Sequence, residues 1–341
     1  MSKILVKAFQ FCVVICLFFS CSPKKKDAGK EAQSSDTSHL FSPVELLTQK
    51  IKVEPANAEL YYKRSQYYLA AKRLTEALVD INKALSIDSA KSPYYLVLGD
   101  VSFAGFNVPK AEESFQKAIA LDNTNIEAYL KYAELELYLK KYTESITNAN
   151  EALRIDKHRA KAYFIKGFVY AENLDTGKAI SSFQTCIEQE PSYYDAYIQL
   201  GILFAGRLNP LALEYYNRAL KLRPNSTEAY YDRGFFYQEA GELDKAISDY
   251  NALLKINLNY KEAYYNIGYI ELAYRSDYKK AIEYFGYAIE KDKYYTDAYY
   301  NRGYSYEMLG DKENAKKDYL AAISVVPTYK KAIAGMKRLG L

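Results

Sequence analysis

The chain has 341 residues, 49% hydrophobic and 26% charged, which excludes a disordered or collagen-like polypeptide and leaves ample apolar material for a core. Its 46 Lys and Arg against 42 Asp and Glu give a net charge of +4 with both signs interspersed, so a dedicated nucleic-acid binder, which would cluster its basic residues, is disfavoured. Trp is absent while Tyr occurs 37 times against 15 Phe, a recurring demand for large flat side chains that tolerate water.

Lys3 and Lys7 precede an apolar run from Ala8 to Phe19, broken only by Gln10 and ending at Ser20-Cys21. The run is shorter than the roughly 17 residues that a bilayer-spanning helix needs. A charged start, a short apolar stretch and a small residue before a cut site predict a secretory signal peptide over residues 1–20. Leu17-Phe18-Phe19-Ser20-Cys21 resembles the lipobox of bacterial lipoprotein precursors, which implies a lipid on Cys21. A plain signal peptide with an incidental Cys, or a short membrane anchor, is the alternative. Residues 21–38 continue in Lys, Ser, Asp and Gly with almost nothing to bury, as expected of a flexible tether. Ser22 after the Cys resembles the sorting pattern of outer-membrane lipoproteins, implying a lipid-anchored protein on the outer membrane, facing the periplasm. Cys186 is the sole cysteine beyond Cys21, so the body has no disulfide framework.

Residues 39–57 are expected to form an N-terminal capping helix. Within them Ser42-Pro43-Val44-Glu45 combines a capping box with Pro at the first helical position, so the helix should run from Pro43 to about Val53.

From residue 58 the chain repeats. Units begin at 58, 92, 126, 160, 194, 227, 261 and 296, and a further start falls at 330. The spacing is 34 residues apart from one step of 33 and one of 35, a period that predicts a solenoid. Tyr is fourth in all eight units, from Tyr61 to Tyr299, and a small residue follows one helical turn later: Ser65, Gly99, Ala133, Gly167, Gly201, Gly234, Gly268 and Gly303. A small residue lets a second helix approach closely, with the Tyr ring covering the contact. Gly in a helix costs about 1 kcal/mol relative to Ala, so its recurrence requires a packing reason. Small residues recur in the second helix too, and Cys186 falls where most units have Ala. Glu136 and Glu271 replace the aromatic residue found at Tyr68, Tyr170, Tyr237 and Tyr306, predicting looser packing of the third and seventh hairpins.

These positions resemble the tetratricopeptide repeat, with Tyr in place of the usual Trp. The resemblance implies an all-α protein: an α-solenoid of helix hairpins forming a right-handed superhelix, with eight repeats over 58–329 and a C-terminal capping helix over 330–341. It also implies that the fifth, sixth and ninth residues of each unit face a concave groove. In the last three units the fifth and ninth are aromatic, giving Tyr231 with Phe235, Tyr265 with Tyr269 and Tyr300 with Tyr304, three stacked pairs on successive helices. Beside them stand Asp232, Asn266 and Asn301. An Asn carboxamide offers a donor and an acceptor, matching a backbone peptide group. These residues make a candidate peptide-binding groove, although the fifth-position Tyr has the alternative role of packing against the next unit. No fifth position is Lys, which argues against the chaperone-tail mode of some family members.

Only His39 and His158 are present, and the chain has no His-Glu-x-x-His helix, paired-Cys metal site, Walker loop or dinucleotide turn. Too little lies outside the repeats for a catalytic domain, so no enzyme activity, cofactor or metal is expected. The expected function is a membrane-anchored, extracytoplasmic scaffold that binds a protein or extended peptide in envelope assembly or secretion. A structural subunit of a permanent complex, a homo-oligomer joined through its end helices and a glycan-binding solenoid are the alternatives.

Overall fold

The computed structural model describes residues 42–341, which form eighteen α-helices and no strand. The expected signal peptide, Cys21, the expected tether and His39 lie outside the described residues. The helices fall into two compact units, one ending at Gln189 and the other starting at Glu190.

The first unit opens with α1 (Pro43–Val53), followed by α2 (Ala58–Ala70), α3 (Leu74–Ile87), α4 (Ser92–Ala104) and α5 (Val108–Leu121). It ends with α6 (Ile126–Tyr138), α7 (Tyr142–Ile155), α8 (Ala160–Glu172) and α9 (Thr176–Gln189). The second unit comprises α10 (Tyr194–Ala205), α11 (Leu211–Leu222), α12 (Thr227–Glu239), α13 (Leu243–Ile256), α14 (Lys261–Ala273), α15 (Tyr278–Lys291), α16 (Thr296–Met308), α17 (Lys312–Val325) and the terminal α18 (Lys330–Arg338). Within each unit, consecutive helices pack as hairpins and each hairpin rests on the next.

Local chemistry sets the helix ends. At α1 the Ser42 amide donates to Glu45 Oε2 at 2.7 Å, and the Glu45 amide donates to Ser42 Oγ at 3.3 Å, which completes the capping box. The turns inside the hairpins pass through a left-handed residue, supplied by Gly241 and Gly310 at φ 77° and 78° but by Lys72, Phe106, Lys140, Leu174, Leu208 and Ser276 elsewhere.

The close approach within each hairpin has a different ring from the one expected. A Cβ on Gly99, Gly167 or Gly201 would lie 2.3, 2.6 or 2.4 Å from a ring carbon of Phe115, Phe183 or Tyr216, all residues of the second helix. The gap is therefore filled by the partner helix, and the fourth-position Tyr does other work. The hydroxyls of Tyr61 and Tyr197 donate to the carbonyls of Pro55 and Pro191 at 3.1 and 3.2 Å, and that of Tyr163 donates to Lys157 O at 2.9 Å. Each bond reaches back six residues and ties the preceding loop to its helix, which a Phe could not do. Cys186 is fully buried among the small second-helix contacts.

The third and seventh hairpins also depart from expectation. Glu136 and Glu271 are buried at 3% exposure each, and neither hairpin opens around them. Glu136 Oε2 accepts from Asn148 Nδ2 at 2.7 Å, and Glu271 Oε1 accepts from Arg275 Nη1 at 2.9 Å. A buried carboxyl is tolerated where it gains a donor.

Two predictions follow from this packing. Gly201→Ala drives a methyl into a buried ring and is expected to destabilise the protein by about 1–3 kcal/mol, whereas Gly286→Ala meets only Arg302 Nη1 at 3.7 Å and is expected to stabilise it by about 0.5–1 kcal/mol. Denaturant unfolding of both variants checks the opposite signs.

Burial pushes the Glu136 carboxyl from 4.5 up to about 7, with the Asn148 bond opposing. Because its acidity is weaker in the fold than in the unfolded chain, its stabilising contribution is complete below pH 4.5 and is lost as the pH climbs through 7. Glu136→Gln should flatten the stability profile across that window and raise stability above it. An unaltered profile in urea titrations would contradict this account.

Candidate peptide-binding face

The first helices of the sixth, seventh and eighth repeats, α12, α14 and α16, carry the residues singled out from sequence. Two of the three expected aromatic pairs form. The rings of Tyr265 and Tyr269 stack at 6.4 Å with an 18° interplanar angle, and those of Tyr300 and Tyr304 at 6.3 Å and 16°. The third does not: Tyr231 turns to Tyr260 at 5.5 Å and Tyr250 at 6.1 Å, leaving half-buried Phe235 without a ring partner among the described residues.

The inner member of each pair belongs to the framework. Tyr265 also stacks on Tyr295 of the following loop at 5.0 Å and meets Phe285 at 5.5 Å. Tyr300 lies 5.8 Å from Tyr319 and 5.9 Å from Tyr329. The outer members are freer: Tyr269 is 37% exposed and Tyr304 is half-buried beneath the Arg338 guanidinium, 5.6 Å from its centroid.

The asparagines differ from expectation. Asn266 and Asn301 are both 8% exposed, and their Nδ2 groups donate to protein hydroxyls, to Tyr250 Oη at 3.2 Å and to Tyr265 Oη at 2.9 Å. Asn301 thereby crosses from α16 to α14 and locks adjacent repeats together. Burial pushes the Tyr265 phenol well above its ordinary pKa, with Asp297 adding and Asn301 opposing, so it remains a neutral hydroxyl. Asn266 and Asn301 hold the aromatic residues in place and do not present free carboxamides.

Reading by residue type missed two features. Arg233 and Arg302, seventh in their repeats, make bidentate pairs with Asp249 and Asp318 at 2.6–2.8 Å, as Arg64 does with Asp80 in the first unit. Each guanidinium also lies 5.7–5.9 Å from the fourth-position Tyr ring. The signal was available as Arg followed sixteen residues later by Asp, repeated in three units. The second feature is an acidic group on α10 and α12, comprising Asp195, Glu228 and Asp232. Loss of hydration raises all three carboxyls, Glu228 further by Asp195 and Asp232 further by Glu228; Arg223 opposes the shift at Asp195 and Glu228, and Asp232 reaches about 8.

His158 sits at a repeat junction, its Nδ1 2.6 Å from Gln189 Oε1. Among the described residues no group of three His, Cys, Asp or Glu side chains is arranged to hold a metal ion, and no helix is long and apolar enough to cross a membrane.

Tetratricopeptide repeat models match residues 58–91, 160–193 and 296–333, and another matches 215–248. The chain is 24% identical over 218 residues to anaphase-promoting complex subunit 3 of Schizosaccharomyces pombe, covering 53% of this chain and 32% of that protein. It is 24% identical over 266 residues to human DnaJ homolog subfamily C member 7, covering 59% of this chain and 54% of that protein. The chain thus spans only a third to about half the length of these curated relatives. Among solved structures, the C-terminal part of a TPR repeat-containing protein from Cytophaga hutchinsonii aligns over 70% of this chain and 97% of its own, with a TM-score of 0.59 and 24% identity. The fold is an all-α repeat solenoid.

The division between framework and free rings is testable. Tyr265→Phe removes the acceptor of Asn301 and should cost about 1 kcal/mol, while Tyr269→Ala should change stability by about 0.5 kcal/mol or less. Thermal unfolding of the two variants measures the difference, and equal losses would put Tyr269 in the framework as well.

Proposed function

We propose that this protein is a lipid-anchored scaffold of the bacterial cell envelope that binds an extended polypeptide along the first-helix face of repeats six to eight. The observation that carries the binding assignment is the paired arrangement of rings, in which Tyr265 and Tyr300 are fixed by the framework and stack on Tyr269, which is exposed, and Tyr304, which is half-buried. Rigid aromatic side chains supply contact area at little entropic cost, the property shared by interaction hot spots. The curated relatives matching these repeats include a subunit of a multiprotein complex and a DnaJ homologue, which supports a binding role.

The anchor rests on the sequence around Cys21 and on the outer-membrane sorting pattern at Ser22. Its mechanism is localisation: a lipid on Cys21 would raise the effective concentration of a bound partner beside one membrane, most simply the outer membrane facing the periplasm. Radiolabelled palmitate should enter the wild-type chain and be absent from Cys21→Ala; label retained in the variant would reject the anchor.

A photo-crosslinking residue placed at Tyr269 in living cells should trap a defined polypeptide that the same residue at Tyr287, on α15, does not. Tyr269→Ala with Phe235→Ala should reduce recovery of that polypeptide about tenfold without loss of helicity. Identical crosslinks from both positions would remove the face from consideration.

A further inference from the structure

The seventh and eighth repeats differ at one position of the second helix, four residues before its end. In the seventh it is Tyr287 on α15, whose ring lies 5.5 Å from the fourth-position Tyr264 and 6.0 Å from Tyr284, and whose hydroxyl donates to Glu283 at 2.7 Å. In the eighth the same position on α17 is Ala321. Beside it a cavity of about 290 Å³ opens, lined by Lys293, Tyr294, the fourth-position Tyr299, Ala321, Ser324 and Val325. The pair of rings in the seventh repeat is thus replaced in the eighth by one ring beside a gap. A cavity of roughly 150 Å³ holds a benzene ring, so this one has room for a phenyl or phenol side chain, and it falls below the roughly 300 Å³ at which small-molecule sites begin. Its walls are held in place, the Tyr294 amide donating to Asp292 Oδ1 at 2.9 Å and the Ser324 hydroxyl to Ala321 O at 2.7 Å.

Charge indicates what fits there. In the seventh repeat the hydroxyl end of the ring meets an acid, Glu283, whereas the equivalent residue of the eighth, one turn before Ala321 on the same helix face, is Lys317. Likewise Glu290 of the seventh repeat becomes Ser324 on the cavity wall. Lys293 and Lys317 are both exposed, and neither has an ion-pair partner among the described residues. The Asp311 carboxyl is lowered by its hydrogen bonds with Asn314 and only last by Lys317. From residue 312 to the end of the sequence, seven Lys and Arg stand against two Asp and Glu, an excess larger than the +4 of the whole chain, so the positive charge is concentrated at the end that holds the cavity. The sixth repeat offers an internal comparison: Ala252 stands at the position of Ala321, but Ser248 and Leu258 replace Lys317 and Lys293.

We propose that the cavity between Tyr299 and the last turns of α17 receives the ring of a tyrosine or phenylalanine from an acidic segment of a partner polypeptide, with the flanking carboxylates on Lys293 and Lys317. The site uses none of the rings assigned to the first-helix face and stands apart from that reading. The seventh repeat shows the contact within one chain, Tyr287 against Tyr264, with an acid where the eighth has a lysine. The two features need each other: a gap of this size does not choose among apolar side chains, and two exposed lysines alone give only a diffuse, salt-sensitive attraction. Together they select an aromatic residue with acidic neighbours.

The full chain is presented with a displayed library of random short peptides, and those retained are counter-selected against Ala321→Tyr, which restores the side chain of the seventh repeat. Peptides lost on that variant should carry Tyr or Phe next to Asp or Glu. For one of them, replacing its aromatic residue by Ala, or its acids by Asn and Gln, should weaken binding by at least about tenfold, as should Lys293→Gln with Lys317→Gln in the protein; Lys83→Gln with Lys117→Gln, which removes the same charge from α3 and α5, should leave it unchanged. If Ala321→Tyr loses wild-type helicity, the Lys293/Lys317 variant serves for the counter-selection instead. Recovery of no peptide that distinguishes wild type from these variants would overturn the proposal, and so would distinguishing peptides that lack an aromatic or an acidic residue. Peptides lost on Tyr269→Ala and kept by Ala321→Tyr, with none showing the reverse, would overturn the cavity site and leave the first-helix face intact. Self-association of the wild type that Ala321→Tyr abolishes would give the cavity to a second copy of the chain and overturn the proposal equally.

Discussion

A ring of the second helix occupying the space of a missing Cβ on the first is the contact on which every other feature of these hairpins depends. At Gly99, Gly167 and Gly201 the ring carbon comes within 2.3–2.6 Å of where a methyl would stand, so the two backbones cross more closely than any larger residue would permit. That crossing sets the tilt at which one hairpin meets the next, and so which residues are left facing outward. The helical cost of Gly, about 1 kcal/mol relative to Ala, is offset by burial of a whole aromatic side chain, for which about 1.5–3 kcal/mol is typical.

Tyrosine replaces tryptophan and much of the phenylalanine because its hydroxyl is used structurally. Tyr61, Tyr163 and Tyr197 tie loops to helices, Tyr265 receives an asparagine from the next repeat, and Tyr250 joins Gln238 to Asn266. The fourth-position rings also lie beside guanidiniums that are themselves held by buried carboxylates, so ring, cation and acid form one unit repeated along the chain.

Function on such a surface is a matter of what the framework leaves over. Tyr265, Tyr300, Asn266 and Asn301 are committed to holding adjacent helices, and of the paired rings Tyr269 is the one left most open to solvent.

The all-α repeat class was legible from sequence because it depends on spacing alone: a Tyr and a small residue one turn apart, returning with a constant period, admit no other regular packing. The helix start at Pro43 was legible for the same local reason, since a capping box acts within four residues. Contacts between elements were not legible. Sequence placed Tyr231, Tyr265 and Tyr300 in equivalent positions, yet tertiary contacts decided that Tyr231 turns away from Phe235, that the asparagines serve tyrosine hydroxyls, and that Glu136 and Glu271 are accommodated by Asn148 and Arg275. Periodicity reports which face a residue occupies. Whether a polar group on that face is satisfied depends on side chains one helix or one repeat away, and that is fixed only when the helices pack.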